Sequence, residues 1–298
     1  MDMTLDTQLK NADDIRNILK KIPQEFVLDD GRKVNSLLVY LPCHNDNQSS
    51  HQEFFECVKN GILYNYVFSC TEVEKKLGLN SDFAKEELFD KALRKISKHT
   101  AKGELGELIL FTILEVYLKA PKLLSKVAMK TSPRMPVYGA DAVHGQFIDG
   151  ELRLYLGESK LHANYSNASS DAVESILNAK NDYIRELDLI DSHLDFPNLN
   201  EDLMGKILDI LNPYKSPDIE KKIHSPCFIG FSQPEILLSN EETYQEKYSV
   251  LAESYIKSFF SKAETKGLDI NSLTLYLLPF KCVQELTDEF ISYVGVSQ

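Results

Sequence analysis

Apolar and polar positions follow two periods along this chain, and the dominant period changes from region to region. Residues 8–22 place apolar side chains at helical spacing and stop before Pro23, which predicts a short amphipathic helix. EFVLD and VNSLLVYL, within 25–41, read as two strands joined by an Asp30-Gly31 turn. CHNDNQSSH (43–51) is a polar loop, FFECVKNGILYNYVF is an apolar helical stretch, and 71–99 is charged with helical spacing. Residues 100–119 form a strongly helical stretch stopped by Pro121. A strand is expected near 126–130, then a Pro-containing loop, SPRMPVYG, then two strands at 141–148 and 151–160. A helix covers 169–187, with Ser170 or Asp171 as its N-cap, and 191–225 is acidic helix and loop. CFIGFS (227–232) reads as a buried strand, followed by a helix at 241–265, a strand at 273–280 and a last helix at 282–294. This order predicts an α/β class with a mixed β-sheet flanked by helices. No Gly/Ser-rich linker and no internal repeat divides the chain. The expected organisation is a smaller α/β region at 1–90, with no motif beyond a guessed partner-binding role, followed by a larger domain at 91–298.

Asp149-Gly150 between apolar runs is a two-residue hairpin signal. That loop pairs Phe147 with Leu152, Gly145 with Leu154 and Val143 with Leu156, and the continued register sets Asp141 opposite Glu158. By the period of two, Leu152, Leu154 and Leu156 share a face with Glu158 and Lys160. Two opposed carboxylates repel, and a divalent cation between them removes the conflict; oxygen-only ligands suit Mg²⁺ or Mn²⁺. A β-bulge would break this register. The helix at 100–119 is apolar on most of its circumference but carries Glu104, Glu107 and Glu115 on one stripe, within about 80° of each other. Glu107 or Glu104 could complete an acidic cluster with Asp141 and Glu158, Glu107 being preferred. Lys160 could orient a water or stabilise charge developing on a phosphorane.

Composition narrows the partners. The 298 residues carry 33 Lys+Arg and 45 Asp+Glu, a net charge of −12, which disfavours a general nucleic-acid binder. The charge is uneven: residues 91–160 hold 12 basic and 7 acidic side chains, whereas 161–220 hold 4 and 12. No run approaches a membrane span, the start lacks secretory-signal character, and five cysteines without a CxxC pair fit reduced thiols; a cytoplasmic protein is expected. Cys43, His44 and His51 lack a fourth zinc ligand, no GxSxG exists, and His144 is offset from the Asp141 face. His162 shares parity with Lys160 and could approach a phosphate. Lys98, His99 and Lys102, ahead of the glutamate stripe, could touch DNA.

Helix carboxylate, then Asp, then Glu-x-Lys on successive strands resembles the PD-(D/E)xK nucleases, here as GELGE (103–107), GAD (139–141) and ESK (158–160). Ala140 stands where that pattern usually has proline. GELGE with its apolar helix, YGADAVHG, LYLGESK and IGFS are similar to the nuclease subunit of Hachiman-type antiphage defence systems, the HamA or AbpA family, from about residue 25 to 290. The resemblance implies a restriction-endonuclease-like core with an N-terminal extension, and Mg²⁺-dependent DNA cleavage through Asp141, Glu158, Lys160 and Glu107. It implies a superfamily 2 helicase partner in a hetero-oligomer, and it places Lys180, on the second core helix, near backbone phosphate. The absence of a GxxxxGK[ST] run agrees, since ATP-driven work must then come from elsewhere. A second reading is a catalytically silent adaptor that keeps the nuclease fold to bind the helicase or DNA. A third is an unrelated α/β protein in which Glu158 and Lys160 form a surface ion pair.

Overall fold

The computed structural model describes residues 4–42, 50–78, 83–132, 138–237 and 241–296. In chain order these form α1 (Ala12–Ile18), β1 (Lys20–Ile22), β2 (Phe26–Val27), β3 (Lys33–Tyr40), α2 (Ser50–Cys57), α3 (Leu63–Val67), α4 (Cys70–Gly78), α5 (Ala84–Leu93) and α6 (Ala101–Ile113). The hairpin β4 (Ala142–Ile148) and β5 (Glu151–His162) follows, then α7 (Tyr165–Asn181), α8 (Tyr183–His193), α9 (Glu201–Leu211) and β6 (Ile223–Ser232). The chain finishes with α10 (Pro234–Leu237), α11 (Glu241–Thr265), β7 (Leu273–Phe280) and α12 (Val283–Val294).

The strands form one mixed sheet in the order β1-β3-β7-β6-β5-β4, with β2 paired to β3. β3, β7, β6 and β5 run parallel, and β1 and β4 are antiparallel to their neighbours. The sheet therefore passes from β3, within residues 1–90, directly into β7. Side chains alternate between two helical layers as the two-residue period requires. Phe228, Tyr276, Leu278 and Phe280 pack with α6, α2 and α12, whereas Cys227, Ile229, Leu275 and Leu277 pack with α7 and α11. On β5, Leu161 faces α6; Leu152, Leu154 and Leu156 face Leu187 and Ile190 of α8 and Ile207 and Leu211 of α9.

Three local expectations are corrected. The helix expected at 8–22 is confined to α1, because Lys20–Ile22 leave it to pair with Leu38–Tyr40, and the amides of Gln8 and Leu9 donate to the buried Glu115 carboxylate. The strand expected near 126–130 is a 3₁₀ turn at Val127–Met129, whose start is held by the Ala128 amide donating to Ser125 Oγ. Strand-like pairing there is limited to a bridge between Lys122 and His144. The helix expected at 169–187 begins earlier, at Tyr165, because Asn164 Oδ1 accepts from the Asn167 amide and caps it; Asp182 then separates α7 from α8. The 43–49 part of the polar loop, Cys43 and His44 included, lies outside the described residues. Among the described residues Cys57, Cys70, Cys227 and Cys282 are free thiols, and no helix is long and apolar enough to cross a membrane.

Candidate active site

The hairpin sets the frame of the site. Asp149 and Gly150 both have positive φ, 52° and 80°, the conformation a two-residue turn matching strand twist requires. The ladder then runs in the expected register, with Phe147 opposite Leu152 and Val143 opposite Leu156, as far as Ala142 opposite Gly157. One residue further it departs from expectation. The Asp141 amide donates to the Gly157 carbonyl at 2.9 Å, so the ladder ends before a direct Asp141–Glu158 pair forms. Instead Asp141 Oδ2 accepts from the Ser159 amide at 2.8 Å and from Ser159 Oγ at 3.1 Å. Asp141 therefore lies across the end of β4, bound to the continuing backbone of β5.

Glu158 and Lys160 project from β5 toward α7 and α8. Lys160 Nζ lies 2.6 Å from Glu158 Oε1. The pair is not on the surface, since the Glu158 side chain is only 7% exposed. With Asp141 they line a cleft of about 840 Å³ whose other walls include Tyr138, Ser175 and Asn178, and Arg185 and Glu186 of α8. Burial, reinforced by the neighbouring Asp141 charge, pushes the Glu158 carboxyl up to about 8 even against Lys160. Burial also raises Asp141, against the Ser159 hydrogen bonds and the Lys160 charge. For Lys160, burial favours the neutral amine, but the Glu158 carboxylate outweighs it and holds the pKa above the ordinary lysine value.

The α6 carboxylates approach from the other side. Gly157 of β5 lies against Leu110 of α6, and Ser159 and Leu161 meet that helix at Gly106. Glu107, one residue on, accepts from Tyr66 Oη at 2.6 Å, and burial followed by Asp141 repulsion pushes its carboxyl up to about 7. Asp141 is thus the electrostatic neighbour of Glu107 on one side and of Glu158 on the other, while Glu107 does not line the Asp141–Glu158–Lys160 cleft. Glu104 is 2% exposed and held by Lys130 Nζ at 2.7 Å; burial, more than that ion pair, sets its pKa above the usual carboxylate value. Glu115, the third member of the stripe, serves the fold: it accepts from the amides of Gln8, Leu9 and Lys122.

The residues proposed for DNA lie around this centre without converging on it. Lys180 Nζ binds Ser272 Oγ at 2.5 Å, and His162 Nδ1 accepts from the Asn164 amide at 3.0 Å. Lys102 is partly exposed at the start of α6, next to the exposed Lys98 and His99. His144 points away from the cleft as its parity predicts; it is buried, with Nδ1 2.8 Å from the Ala120 carbonyl, and burial lowers its pKa to about 3. Sequence reasoning missed Tyr66, Lys126, Lys130 and Glu186. Each is brought in by tertiary packing from a segment that carries no motif; the one available signal was the basic bias of residues 91–160.

Among the described residues no group of three His, Cys, Asp or Glu side chains converges closely enough to form a ready metal cage. Mg²⁺, however, is commonly bound by one or two carboxylates, with waters and substrate phosphates completing its shell. Asp141 and Glu158 could supply that number, and their mutual repulsion is of the kind a hard divalent cation relieves. No curated protein and no solved structure matches the chain. The sequence model of one family, described as HamA, matches residues 16–294, a span that contains every residue of the cleft. That match extends over nearly the whole polypeptide, and the chain accordingly belongs to the HamA family.

Proposed function

We propose that this chain is the Mg²⁺-dependent deoxyribonuclease subunit of a Hachiman-type antiphage defence complex, of PD-(D/E)xK type, acting with a superfamily 2 helicase. The observation that carries the reading is the grouping of Asp141, Glu158 and Lys160 in one cleft, with Glu158 buried, Asp141 partly buried, and Lys160 Nζ 2.6 Å from Glu158. HamA membership supports the defence role. Asp141 and Glu158 would hold the cation; Glu107 adds a like charge next to Asp141, which a bound cation would also relieve, and Glu104 stays paired to Lys130. When bound, Mg²⁺ supplies Lewis acidity at the scissile phosphate. Lys160 keeps a fixed positive charge beside that position, suited to orienting the attacking water and to the charge that grows on the phosphorane. The walls of the cleft exclude bulk water from one side of the carboxylates, which strengthens these interactions.

The rim of the cleft also bears on the partner. Asp182 and Asp188 stand there with Arg185, while Glu186 is buried against Lys126. Such a rim repels a phosphate backbone, so DNA affinity has to come largely from elsewhere, as a helicase subunit that holds the substrate would provide. The test is cleavage of plasmid and linear DNA by the chain co-purified with the helicase encoded beside it, with and without ATP and Mg²⁺. Wild type is expected to cut and Lys160→Ala to lose roughly a hundredfold or more in rate. Equal cleavage by both would remove the site. A complex with Mg²⁺, ATP and DNA that never cuts would favour the silent adaptor.

A further inference from the structure

Asp141 is held from β5 by Gly157 and Ser159, and the turn that leads into it is held separately, from outside the hairpin. Gly139 takes φ +101°, and the carboxylate of Glu186, from α8, closes over it. Glu186 Oε1 accepts from the Ala140 amide at 2.9 Å and from Lys126 Nζ at 2.7 Å, and Lys126 Nζ also reaches the Tyr138 carbonyl at 3.3 Å. The two side chains are 4% and 9% exposed. The turn is thus bound on both sides of Gly139, and the next residue is Asp141. A Cβ at Gly139 would lie 1.9 Å from Glu186 Oε1, so the carboxylate fills the space a side chain would take.

A buried ion pair is a poor source of stability, because desolvation consumes most of its Coulomb attraction. What this pair supplies is geometry. Its shared oxygen binds the amide directly ahead of Asp141, and Asp141 in turn spans to the Ser159 amide. Glu186 does not touch Glu158 or Lys160 in any hydrogen bond seen here, so its influence on the cleft runs through the Gly139–Asp141 backbone.

We infer that Glu186, with Lys126, is a positioning residue for the Asp141 carboxylate: it locks the Gly139–Ala140 turn so that Asp141 is presented to a divalent cation. The inference rests on the reading of Asp141 as a metal ligand. It adds α8, from the acidic window of the sequence, to the machinery of the site. Outer residues that orient metal ligands govern affinity by about 10- to 100-fold when removed.

The experiment titrates Mn²⁺ into the full chain, following free Mn²⁺ by electron paramagnetic resonance, and records thermal melting of the same samples. The variants are Asp141→Ala, Glu186→Gln and the double variant Lys126→Met/Glu186→Leu. The double variant replaces a buried ion pair with apolar groups of similar volume, an exchange that folds commonly tolerate or gain from. Because it also orphans the Ala140 amide, which offsets that gain, it is expected to melt close to the wild-type temperature while its Mn²⁺ dissociation constant rises about 10- to 100-fold. Glu186→Gln keeps an oxygen acceptor for the Ala140 amide and is expected to bind within about threefold of wild type. Wild-type Mn²⁺ affinity in the double variant, with binding lost in Asp141→Ala, would overturn the positioning role and leave the metal site standing. Wild-type affinity in Asp141→Ala would overturn the metal site itself, and the positioning role with it.

Discussion

The Asp141 carboxylate accepts the backbone amide of Ser159 at 2.8 Å, so the residue just ahead of β4 is tied to the middle of the Glu158-Ser159-Lys160 run. Of the two bonds Ser159 donates, the backbone one is the shorter and survives any substitution short of proline. Ser159→Ala is therefore expected to keep cleavage within about fivefold of wild type and to lose only about 1 kcal/mol of stability. Asp141→Asn keeps the shape but not the charge and is expected to lose cleavage by roughly a hundredfold or more. Initial rates on linear DNA at fixed Mg²⁺, with urea midpoints for both variants, would show whether the two effects separate in this way.

Tyr66 is the hydroxyl donor to Glu107 and lowers its pKa against burial and Asp141. Removing that donor in Tyr66→Phe leaves the carboxylate more costly to ionise, so its pKa should climb further above about 7. The expected signature is an alkaline displacement of the pH–rate profile at saturating Mg²⁺, with a loss of about 1–3 kcal/mol in stability at pH 8. A profile that superimposes on the wild type would show that Glu107 ionisation is not felt in the reaction.

Two glycines of positive φ give a matched comparison. Gly150 has φ +80° and open space around its Cβ position, so Gly150→Ala should cost about 1 kcal/mol and leave cleavage intact. Gly139 has φ +101° and the Glu186 carboxylate where a Cβ would go. Gly139→Ala should add displacement of that carboxylate to the backbone strain, costing about 2–4 kcal/mol and most of the activity. Melting temperatures paired with specific activities would distinguish the two; equal activity loss in both would point to the hairpin as a whole rather than to the turn at 139.

Glu158 makes stability depend on pH in a defined direction. Its folded pKa, about 8, lies above the ordinary value of 4.5, so the native state holds a proton that the unfolded chain releases. Its contribution is present in full below about pH 4.5 and is lost as pH rises to about 8. Glu158→Gln should therefore be less sensitive to that rise, and its urea midpoint relative to wild type should be higher at pH 9 than at pH 5. Added Mg²⁺ should narrow the difference at pH 9 by stabilising the wild type. A constant offset between the two proteins across pH 5–9 would mean that Glu158 ionises as freely in the fold as in the open chain.

The hairpin was legible because its determinants are local. Asp149-Gly150 fixes the turn, and counting from it gives the paired register correctly through Ala142 and Gly157. The count failed at Asp141, where the backbone bond to Gly157 and the side-chain bond to Ser159 replace ladder pairing; no periodicity encodes such a departure. The glutamate stripe of α6 was also legible as a spacing, but not its division of labour. Glu104 took Lys130, Glu107 took Tyr66 and Glu115 took the amides of residues 8, 9 and 122. Those partners lie up to about a hundred residues away, and only packing brings them close. Lys126 and Glu186 were invisible for the same reason: sixty residues separate them, and neither sits in a repeated pattern.

The parallel pairing of β3 with β7 sets a limit on how this protein can be trimmed. A shortened version beginning near residue 91 would retain Asp141, Glu158 and Lys160 yet lose Tyr66. It would also uncover the edge of β7 along Thr274–Leu277, the residues β3 pairs with, leaving strand-ready amides and carbonyls in an apolar strand. Such an edge is a template for sticking to other chains. A protein trimmed at that point should come out of expression as aggregate, and a workable one would need a replacement strand, or charged and proline substitutions along the exposed rim.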